Sequence, residues 1–229
     1  QYQNMTLGEF LKFKKMSNYF INFHIIPMVA AIWSMPLNSA QKMPMSLFLN
    51  FFKNHSLFKI KNRPPWFTVK GRSKIYVNKI LEKISGEYFK NYEIKKVFRN
   101  KNNVRLYYGS ANEYFDYDRV VFATHADDTL KLIENLTETE EQILKNFEYK
   151  KNIAILHSDE SLMPKNKKSW SSWNSIMDKS DPKKNCITYW LNKLQNIKSE
   201  TNYFFTLNPF MSIEENKIFK KVEFTHPFY

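Results

Sequence analysis

The stretch "EIKKVFRNKNNVRLYYG", residues 93–109, marks the point where the sequence changes from helical to strand periodicity. Glu93–Phe98 and Val104–Tyr108 are rich in β-branched and aromatic residues, and the polar run "RNKNN" between them is typical of a turn. This pattern predicts two strands joined by a hairpin. The stretch "FDYDRVVFAT", residues 115–124, predicts a third strand, with Arg119–Ala123 as its apolar part.

Helical patterns lie on both sides of this strand unit. Thr6 and Glu9 have the spacing of a capping box, which predicts a helix from residue 7. Further helices are predicted after Pro44 and from Ser73, where apolar residues recur at helical spacing. A second capping box, "TETE" at residues 137–140, predicts a helix that follows the strands.

From residue 150 onward the pattern is mostly that of short strands separated by polar loops. The predicted strands contain "NIAILH", "SWSSWNSI", "CITYWL", "NYFFTL" and "KKVEFTH". Helices, a strand unit and a further run of strands together predict an α+β fold. We expect two intertwined parts: residues 64–125 in one, residues 1–63 and 150–229 in the other, and connecting helices at 126–149.

The composition favours a packed protein with an aromatic-lined cavity. The chain has 229 residues, of which 43% are hydrophobic and 17% aromatic. Such an aromatic content can fill a core and also line a ligand pocket. Only 4 glycines are present, which is few for a protein that wraps phosphate groups with a glycine-rich loop.

The charge balance leaves a binding role open. The net charge of +13 suits nucleic acid or anionic lipid as a partner, so a basic binding module is one alternative function. The lysines are dispersed and no nucleic-acid-binding motif accompanies them, so no nucleic-acid partner is expected. A peripheral contact with an anionic membrane stays open.

The single cysteine and the lack of a secretory signal favour the cytoplasm. Cys186 cannot form an internal disulfide, and its place in the predicted strand "CITYW" favours a buried structural thiol over a nucleophile. The longest apolar run, Ile25–Trp33, has about half the length of a membrane span. Because the chain starts at Gln1 and not at Met, we expect it to be part of a longer protein.

Five stretches together carry a family resemblance over nearly the whole chain. They are "IIPMVAAIWSMP", "FFKNHSLFKIKNRPPWFTVKGRSKIYV", "YDRVVFATHAD", "LHSDESLMPKNKKSWSSWN" and "ITYWLNKLQ". In this order they resemble the flavin-containing amine-oxidase-like oxidoreductases, in the bacterial branch described as predicted NAD/FAD-binding proteins. The resemblance implies an FAD-binding dinucleotide domain with a β-meander, interleaved with a substrate domain of helices and an antiparallel sheet.

The resemblance assigns the predicted parts to these domains. Residues 64–125 would be the middle of the FAD-binding domain, and residues 1–63 and 150–229 the helical part and the sheet of the substrate domain. The family's GxGxxG turn and its C-terminal glycine-rich flavin motif are both missing from the sequence. The chain therefore resembles the central part of such a protein, and we expect that it does not hold FAD stably by itself. The alternative to such a part of a working enzyme is a non-catalytic remnant of a flavoprotein.

The resemblance also implies residues near the cofactor. Gly71 would form a tight turn close to the flavin, although Arg72 stands where the family has a second glycine. The backbone of Ile94 would contact the adenine end. Ala123, Thr124 and His125 would line the turn that closes the meander; there His125 could donate to the flavin or shuttle protons, or serve only as a structural hydrogen-bonding group. Asp127 is expected to cap the following helix.

The substrate side is predicted from aromatic and polar residues within the family-like stretches. The candidates are Trp33, Asn54, His55, Trp66, Trp170, Trp173, Tyr189 and Trp190. Core packing is the alternative for about half of the tryptophans and Tyr189. Amine oxidases of this type often place a lysine near the flavin, in a region that reads "YKKNIAILH" here. Lys150, Lys151 and Asn152 are therefore weak catalytic candidates beside His125, and no metal site is predicted. His157 would line the same sheet or bond across strands, whereas His24 would be structural.

The resemblance implies an FAD-dependent oxidoreductase that passes a hydride from an organic substrate to flavin N5. Because the flavin performs the redox step, few protein acid–base groups are required. Flat aromatic rings beside the flavin would exclude water from the site. An aromatic cavity together with a basic surface is compatible with a lipid-like substrate. The fold itself does not fix the substrate.

Overall fold

The computed structural model describes residues 2, 4–33, 35–110, 113–178, 180–181 and 184–228. It contains helices and antiparallel sheets, so the predicted α+β class is confirmed. The chain divides into two compact units. The first unit comprises the described residues of Gln1–Arg72 and Lys151–His226, and the second those of Ser73–Lys150 and Pro227–Tyr229.

Short helices form the N-terminal part of the first unit. They are α1 (Leu7–Phe13), α2 (Asn18–Phe20), a π-helical segment (Ile21–Ile25), α3 (Ile26–Trp33), α4 (Leu37–Gln41) and α5 (Met45–Asn54). The capping box predicted for α1 is confirmed, because the Thr6 amide donates to the Glu9 carboxylate at 2.8 Å and the Glu9 amide donates to the Thr6 hydroxyl at 3.3 Å. The helices bury Leu7, Val29 and Met45 almost completely.

The second unit combines one small sheet with three helices. Its elements are α6 (Ser73–Leu81), β1 (Ile94–Arg99), β2 (Val104–Tyr108), β3 (Glu113–Tyr117), α7 (Ala126–Leu132) and α8 (Glu138–Lys145). The strands pair antiparallel in the order β1-β2-β3. Among the described residues of this unit, Val97 is the only hydrophobic residue whose side chain is buried. The apolar residues of α6 are largely exposed, so this unit has little core of its own.

The prediction of a strand over Arg119–Ala123 is wrong. Strand β3 ends at Tyr117, and the chain continues to Thr124 without regular structure. The apolar Val121 is almost fully exposed. A strand exists only when a neighbour accepts its hydrogen bonds, and no strand among the described residues pairs with this segment.

An ion pair fastens α8 to β1 within the second unit. The guanidinium of Arg99 donates to both carboxylate oxygens of Glu140, at 2.6 and 2.8 Å. Glu140 also accepts the Thr137 amide at 2.9 Å, which completes the second predicted capping box. Arg99 and the hydrogen bonds at the helix start together lower the pKa of Glu140 to about 2. The carboxylate that caps the helix thus also holds it against the strand.

The C-terminal part of the chain forms a five-stranded sheet. Its strands are β4 (Glu148–His157), β5 (Trp173–Met177), β6 (Asn185–Trp190), β7 (Phe204–Leu207) and β8 (Ile218–Phe228), and α9 (Leu191–Leu194) follows β6. The strand order is β5-β6-β7-β4-β8, with antiparallel pairing for β5–β6, β6–β7 and β4–β7.

Two apolar clusters pack against this sheet. One contains Ile155, Leu162, Cys186 and Ile213, and the other contains Met163, Trp170 and Phe204. Burial raises the pKa of the Cys186 thiol to about 11, which suits the structural role expected for it and not that of a nucleophile.

Candidate functional site

The largest well-formed cavity that we describe lies in the first unit and has a volume of about 730 Å³. This volume falls within the range of about 300–1,000 Å³ that is usual for small-molecule sites. Most of the wall is aromatic or aliphatic. The cavity is lined by Met28, Ile32, Trp33, Phe51, His55, Leu57, Trp66, Ser171, Ser172, Trp173 and Leu194.

One wall of this cavity is a continuous row of rings. Trp33 at the end of α3 lies 4.5 Å from Phe51 on α5, measured between ring centroids. His55 follows Phe51 by one helical turn and stacks on it at 4.0 Å. Trp66, in the extended segment after Pro64 and Pro65, continues the row at 6.2 Å from His55. We call Trp33, Phe51, His55 and Trp66 the aromatic row.

Among the described residues that line the cavity, His55 has the only titratable side chain. Its Nδ1 lies 2.9 Å from the carbonyl oxygen of Phe51. Because a carbonyl only accepts, Nδ1 carries the hydrogen and Nε2 carries the lone pair in the neutral ring. Nε2 can therefore accept a hydrogen bond or a proton from a bound molecule, or donate once the ring is protonated.

The facing wall comes from the sheet and the loop before it. Trp173 opens β5, and its ring lies 5.7 Å from that of Tyr189 on the neighbouring strand β6. The Tyr189 hydroxyl donates to the carbonyl oxygen of Ala31 in α3 at 3.3 Å. Tyr189 therefore supports Trp173 and joins the sheet to the helix that carries Trp33. Ser171 and Ser172 add hydroxyl groups to this wall.

A smaller cavity of about 190 Å³ adjoins the first one. The two share Met28 and Trp173 as wall residues. The remaining wall of the smaller cavity includes Phe23 and His24 of the π-helical segment and Asn174 of β5. The side chains of Met28 and Trp173 thus form the wall that the two cavities share.

The structure brings four of the predicted pocket residues to the large cavity, namely Trp33, His55, Trp66 and Trp173. Asn54 is exposed at the end of α5 and is not among the described lining residues. Trp170 and Trp190 belong instead to the core, where Trp170 donates its indole N–H to the Pro164 carbonyl at 2.7 Å. For the four residues that do line the cavity, a role in substrate binding stays a prediction.

Sequence reasoning missed the aliphatic part of the wall and one ring of the aromatic row. The aliphatic residues gave no signal because single apolar residues on helices and in turns are typical of any core; they are Met28, Ile32, Leu57 and Leu194. Phe51 could have been found, since it precedes His55 by four residues and so shares its helix face.

Of the residues predicted near the cofactor, Gly71 lies in the first unit. It occupies the left-handed region at φ 83°, in a turn closed by the Arg72 amide, which donates to the Val69 carbonyl at 2.9 Å. Arg72 follows with φ 70°, which is costly for a residue with a Cβ. The backbone therefore keeps a left-handed conformation at both positions of the family's glycine pair, although only one of them is glycine.

The other predicted cofactor residues belong to the second unit. Ile94 opens the edge strand β1 opposite Tyr108, and the register shifts between Ile94 and Lys96. Ala123 is exposed in the irregular segment that precedes α7.

Hydrogen bonds fix the turn that contains Thr124 and His125. The Thr129 hydroxyl donates to the His125 carbonyl at 2.9 Å, so the Thr124 hydroxyl, 2.7 Å from it, is the donor of their mutual bond. With its hydrogen used in this way, Thr124 can still accept from a ligand but has no donor for a phosphate oxygen. The His125 ring is exposed and stacks on Tyr149 at 4.7 Å.

The prediction that Asp127 caps α7 is wrong. His125 is the N-cap residue, and Asp127 lies in the first turn, where its carboxylate accepts the Asp128 amide at 3.0 Å. A carboxylate at this place still stabilises the helix through its dipole. His125, Asp127 and Asp128 offer ligand atoms within 4.8 Å of one another, but exposed acidic groups are common without a bound ion.

The three candidates at the start of the sheet make structural contacts. Lys151 is exposed and forms an ion pair with Glu223 of β8 at 2.6 Å. Asn152 is buried, and its side-chain carbonyl oxygen accepts a hydrogen bond from the side-chain amide of Asn208 at 2.8 Å. Lys150 lies 3.7 Å from Glu148 on the same strand. None of the three is among the lining residues that are described for the large cavity.

His157 bonds across strands, one of the two roles considered for it. Its Nδ1 accepts the Asp159 amide at 3.1 Å, so Nε2 carries the hydrogen and donates to the Thr206 hydroxyl at 2.7 Å. The Thr188 hydroxyl lies 2.8 Å from that of Thr206. All four residues are buried, and burial lowers the pKa of His157 against the opposing effect of Asp159. This chain of hydrogen bonds links β4, β7 and β6.

No protein-family model matches the sequence, and no curated protein matches it. Among solved structures, 23 chains match, and one of them is a CLA-producing fatty acid isomerase from P. acnes. That match has 10% sequence identity and a TM-score of 0.43, and it covers 69% of this chain and 39% of the isomerase chain. Because the TM-score is below 0.5, no functional argument rests on it.

Among the described residues, no helix has both the length and the apolar character that crossing a membrane requires.

Proposed function

We propose that this chain supplies the substrate cavity of an FAD-dependent oxidoreductase of the amine-oxidase-like type, acting on an apolar, lipid-like molecule. The observation that supports the proposal most is the large cavity of the first unit. Four residues that the resemblance assigns to the substrate side line this one space, and most of its wall is apolar. An apolar wall favours a substrate with a long hydrocarbon part.

The residues of the cavity have distinct roles in this proposal. The aromatic row and Trp173 hold the apolar part of the substrate between flat rings. His55 offers the one group that can take or give a proton near a polar substrate group. Ser171 and Ser172 can donate or accept hydrogen bonds at the other wall and so orient that group.

FAD fits the described residues only in part. The left-handed turn at Gly71 and Arg72 is open to a close backbone approach, and the turn before α7 is exposed. The glycines stand at positions 8, 71, 86 and 109, too far apart for the loop that holds a pyrophosphate. Thr124 has no free hydroxyl hydrogen for a phosphate oxygen. The grip on the cofactor is therefore incomplete in this chain, and we propose that the chain is the central part of a longer flavoprotein.

The proposal is tested on the protein purified from the complete reading frame that contains this chain. We expect it to carry flavin, and we expect the flavin absorbance to bleach when an apolar amine or fatty acyl substrate is added without oxygen. His55→Ala should slow the bleaching, whereas Asn54→Ala, one residue away, should leave its rate unchanged. A correctly folded, colourless protein would contradict the proposal.

A further inference from the structure

The turn between α1 and α2 and the residues that flank it expose several large apolar side chains. Phe13, Met16, Tyr19 and Phe23 are all exposed, and Phe20 is at the margin of exposure. They lie within eleven consecutive residues of a helix–turn–helix. We call residues Lys12–Phe23 the α1–α2 tip.

The backbone of the tip is well defined by hydrogen bonds. The Lys14 amide donates to the Phe10 carbonyl at 2.9 Å and the Met16 amide to the Leu11 carbonyl at 3.1 Å, with Lys15 in the left-handed region between them. The Ser17 hydroxyl then caps α2 by accepting the Phe20 amide at 3.1 Å. These hydrogen bonds fix the backbone that carries the exposed apolar side chains.

Positive charge surrounds these apolar groups. Lys12, Lys14 and Lys15 are exposed within the tip. The sequence contains no aspartate or glutamate between Glu9 and Glu82, whereas it has 12 lysines and arginines in that interval. The nearest carboxylate, Glu9, is bound in the capping box with Thr6. The tip therefore carries three lysines, and Glu9, which interacts with Lys12, is the carboxylate that lies beside it in the sequence.

The tip also adjoins the smaller cavity. Phe23 is part of the tip and lines that cavity together with His24. The cavity shares Met28 and Trp173 with the large cavity. The end of the tip overlaps the π-helical segment Ile21–Ile25, which leads directly into α3. A π-helix occurs mainly as a short piece and often at functional sites.

We propose that the α1–α2 tip docks this protein on the surface of an anionic lipid membrane. Exposed aromatic side chains settle at the boundary between headgroups and acyl chains, and lysines beside them contact negatively charged headgroups. Phe13, Met16 and Tyr19 are the inserted groups, and Lys12, Lys14 and Lys15 bind the headgroups. A substrate that enters from the membrane along Phe23 is a further step, which rests on the proposed function of the large cavity.

Co-sedimentation with lipid vesicles tests the docking. We expect the protein to bind vesicles of phosphatidylcholine and phosphatidylserine, and to bind pure phosphatidylcholine much more weakly. The variant Phe13→Ala/Tyr19→Ala should bind the anionic vesicles at least roughly tenfold more weakly. The matched control is Ile60→Ala/Phe219→Ala, because Ile60 and Phe219 are 91% and 53% exposed, against 60% and 76% for Phe13 and Tyr19.

The lysines are tested one at a time. Each of Lys12→Ala, Lys14→Ala and Lys15→Ala should weaken binding to the anionic vesicles by about fivefold at low salt. Lys220→Ala, on strand β8, should not. Equal loss in the tip and control variants, or tighter binding to single-stranded nucleic acid than to anionic vesicles, would overturn the proposal.

A fluorescent fatty acid, added without vesicles, separates this proposal from the function of the cavity. The tip variants should bind it as the unmodified protein does. If the vesicle experiment fails while the fatty acid still binds, the docking is refuted and the cavity proposal stands. If the protein binds vesicles through the tip but does not bind the fatty acid, the cavity proposal is refuted and the docking stands.

Discussion

Replacing His157 with leucine tests whether the buried hydrogen-bond chain stabilises the neutral imidazole. The change leaves the Asp159 amide without its acceptor and the Thr206 hydroxyl without its donor, both in a fully buried setting. An orphaned buried amide costs about 2 kcal/mol and the lost hydroxyl contact about 1 kcal/mol, while the added apolar burial returns about 1 kcal/mol. We expect His157→Leu to lower the free energy of unfolding by about 2 kcal/mol at pH 8.

The same substitution should change how stability depends on pH. Burial holds the pKa of His157 below the ordinary histidine value of 6.5, so the folded state resists protonation more than the unfolded state does. The unmodified protein therefore loses stability as the pH falls below 6.5, by up to about 1.4 kcal/mol per pH unit, until the folded-state pKa is reached. His157→Leu lacks this loss, so the gap between the two proteins should narrow from pH 8 to pH 5.5.

Urea unfolding followed by tryptophan fluorescence at these two pH values measures both effects. His24→Leu is the control, because His24 is exposed and is not part of the buried hydrogen-bond chain. Other titrating groups are common to both proteins and cancel in the difference. A destabilisation that is equal at pH 8 and pH 5.5 would refute the inference that the fold keeps His157 neutral.

Three further predictions concern local features of the fold. Glu140→Gln should lower the free energy of unfolding by about 1 kcal/mol at pH 7, a modest loss because the Arg99–Glu140 pair is partly exposed. This loss should fade as the pH drops from about 4.5 towards about 2, where the carboxylate of Glu140 in the unmodified protein also becomes protonated. In the same urea titrations, Glu141→Gln should have little effect. Arg72→Gly should be neutral or slightly stabilising at φ 70°, whereas Gly71→Ala at φ 83° should cost about 1 kcal/mol in thermal unfolding. Cys186, buried and with its pKa raised to about 11, should react with a thiol reagent only when the protein unfolds, and fast reaction of the folded protein would contradict this.

Features that depend on neighbouring residues in the sequence were predicted well. Both capping boxes form as expected, because Thr6 with Glu9 and Thr137 with Glu140 interact within a single helical turn. The strands of the C-terminal sheet were also found, since each combines strand-forming residues with polar loops on both sides.

Features that depend on distant partners were not predictable in the same way. Arg119–Ala123 has the composition of a strand, but the described part of the chain offers it no partner strand. Trp170 and Trp173 lie three residues apart and gave the same sequence signal. One is buried against Phe204 and the other lines the cavity, a difference that only the packing of the sheet decides.

The most direct test of the account is whether the large cavity binds an apolar molecule. The measurement is a titration with the fluorescent fatty acid cis-parinaric acid, followed by quenching of tryptophan emission. Trp66 and Phe67 are 71% and 88% exposed, so replacing either with alanine should leave the fold intact, but only Trp66 lines the cavity. We expect saturable binding at one site, weakened roughly tenfold by Trp66→Ala and unchanged by Phe67→Ala. Absent binding, or an equal effect of the two substitutions, would contradict the account.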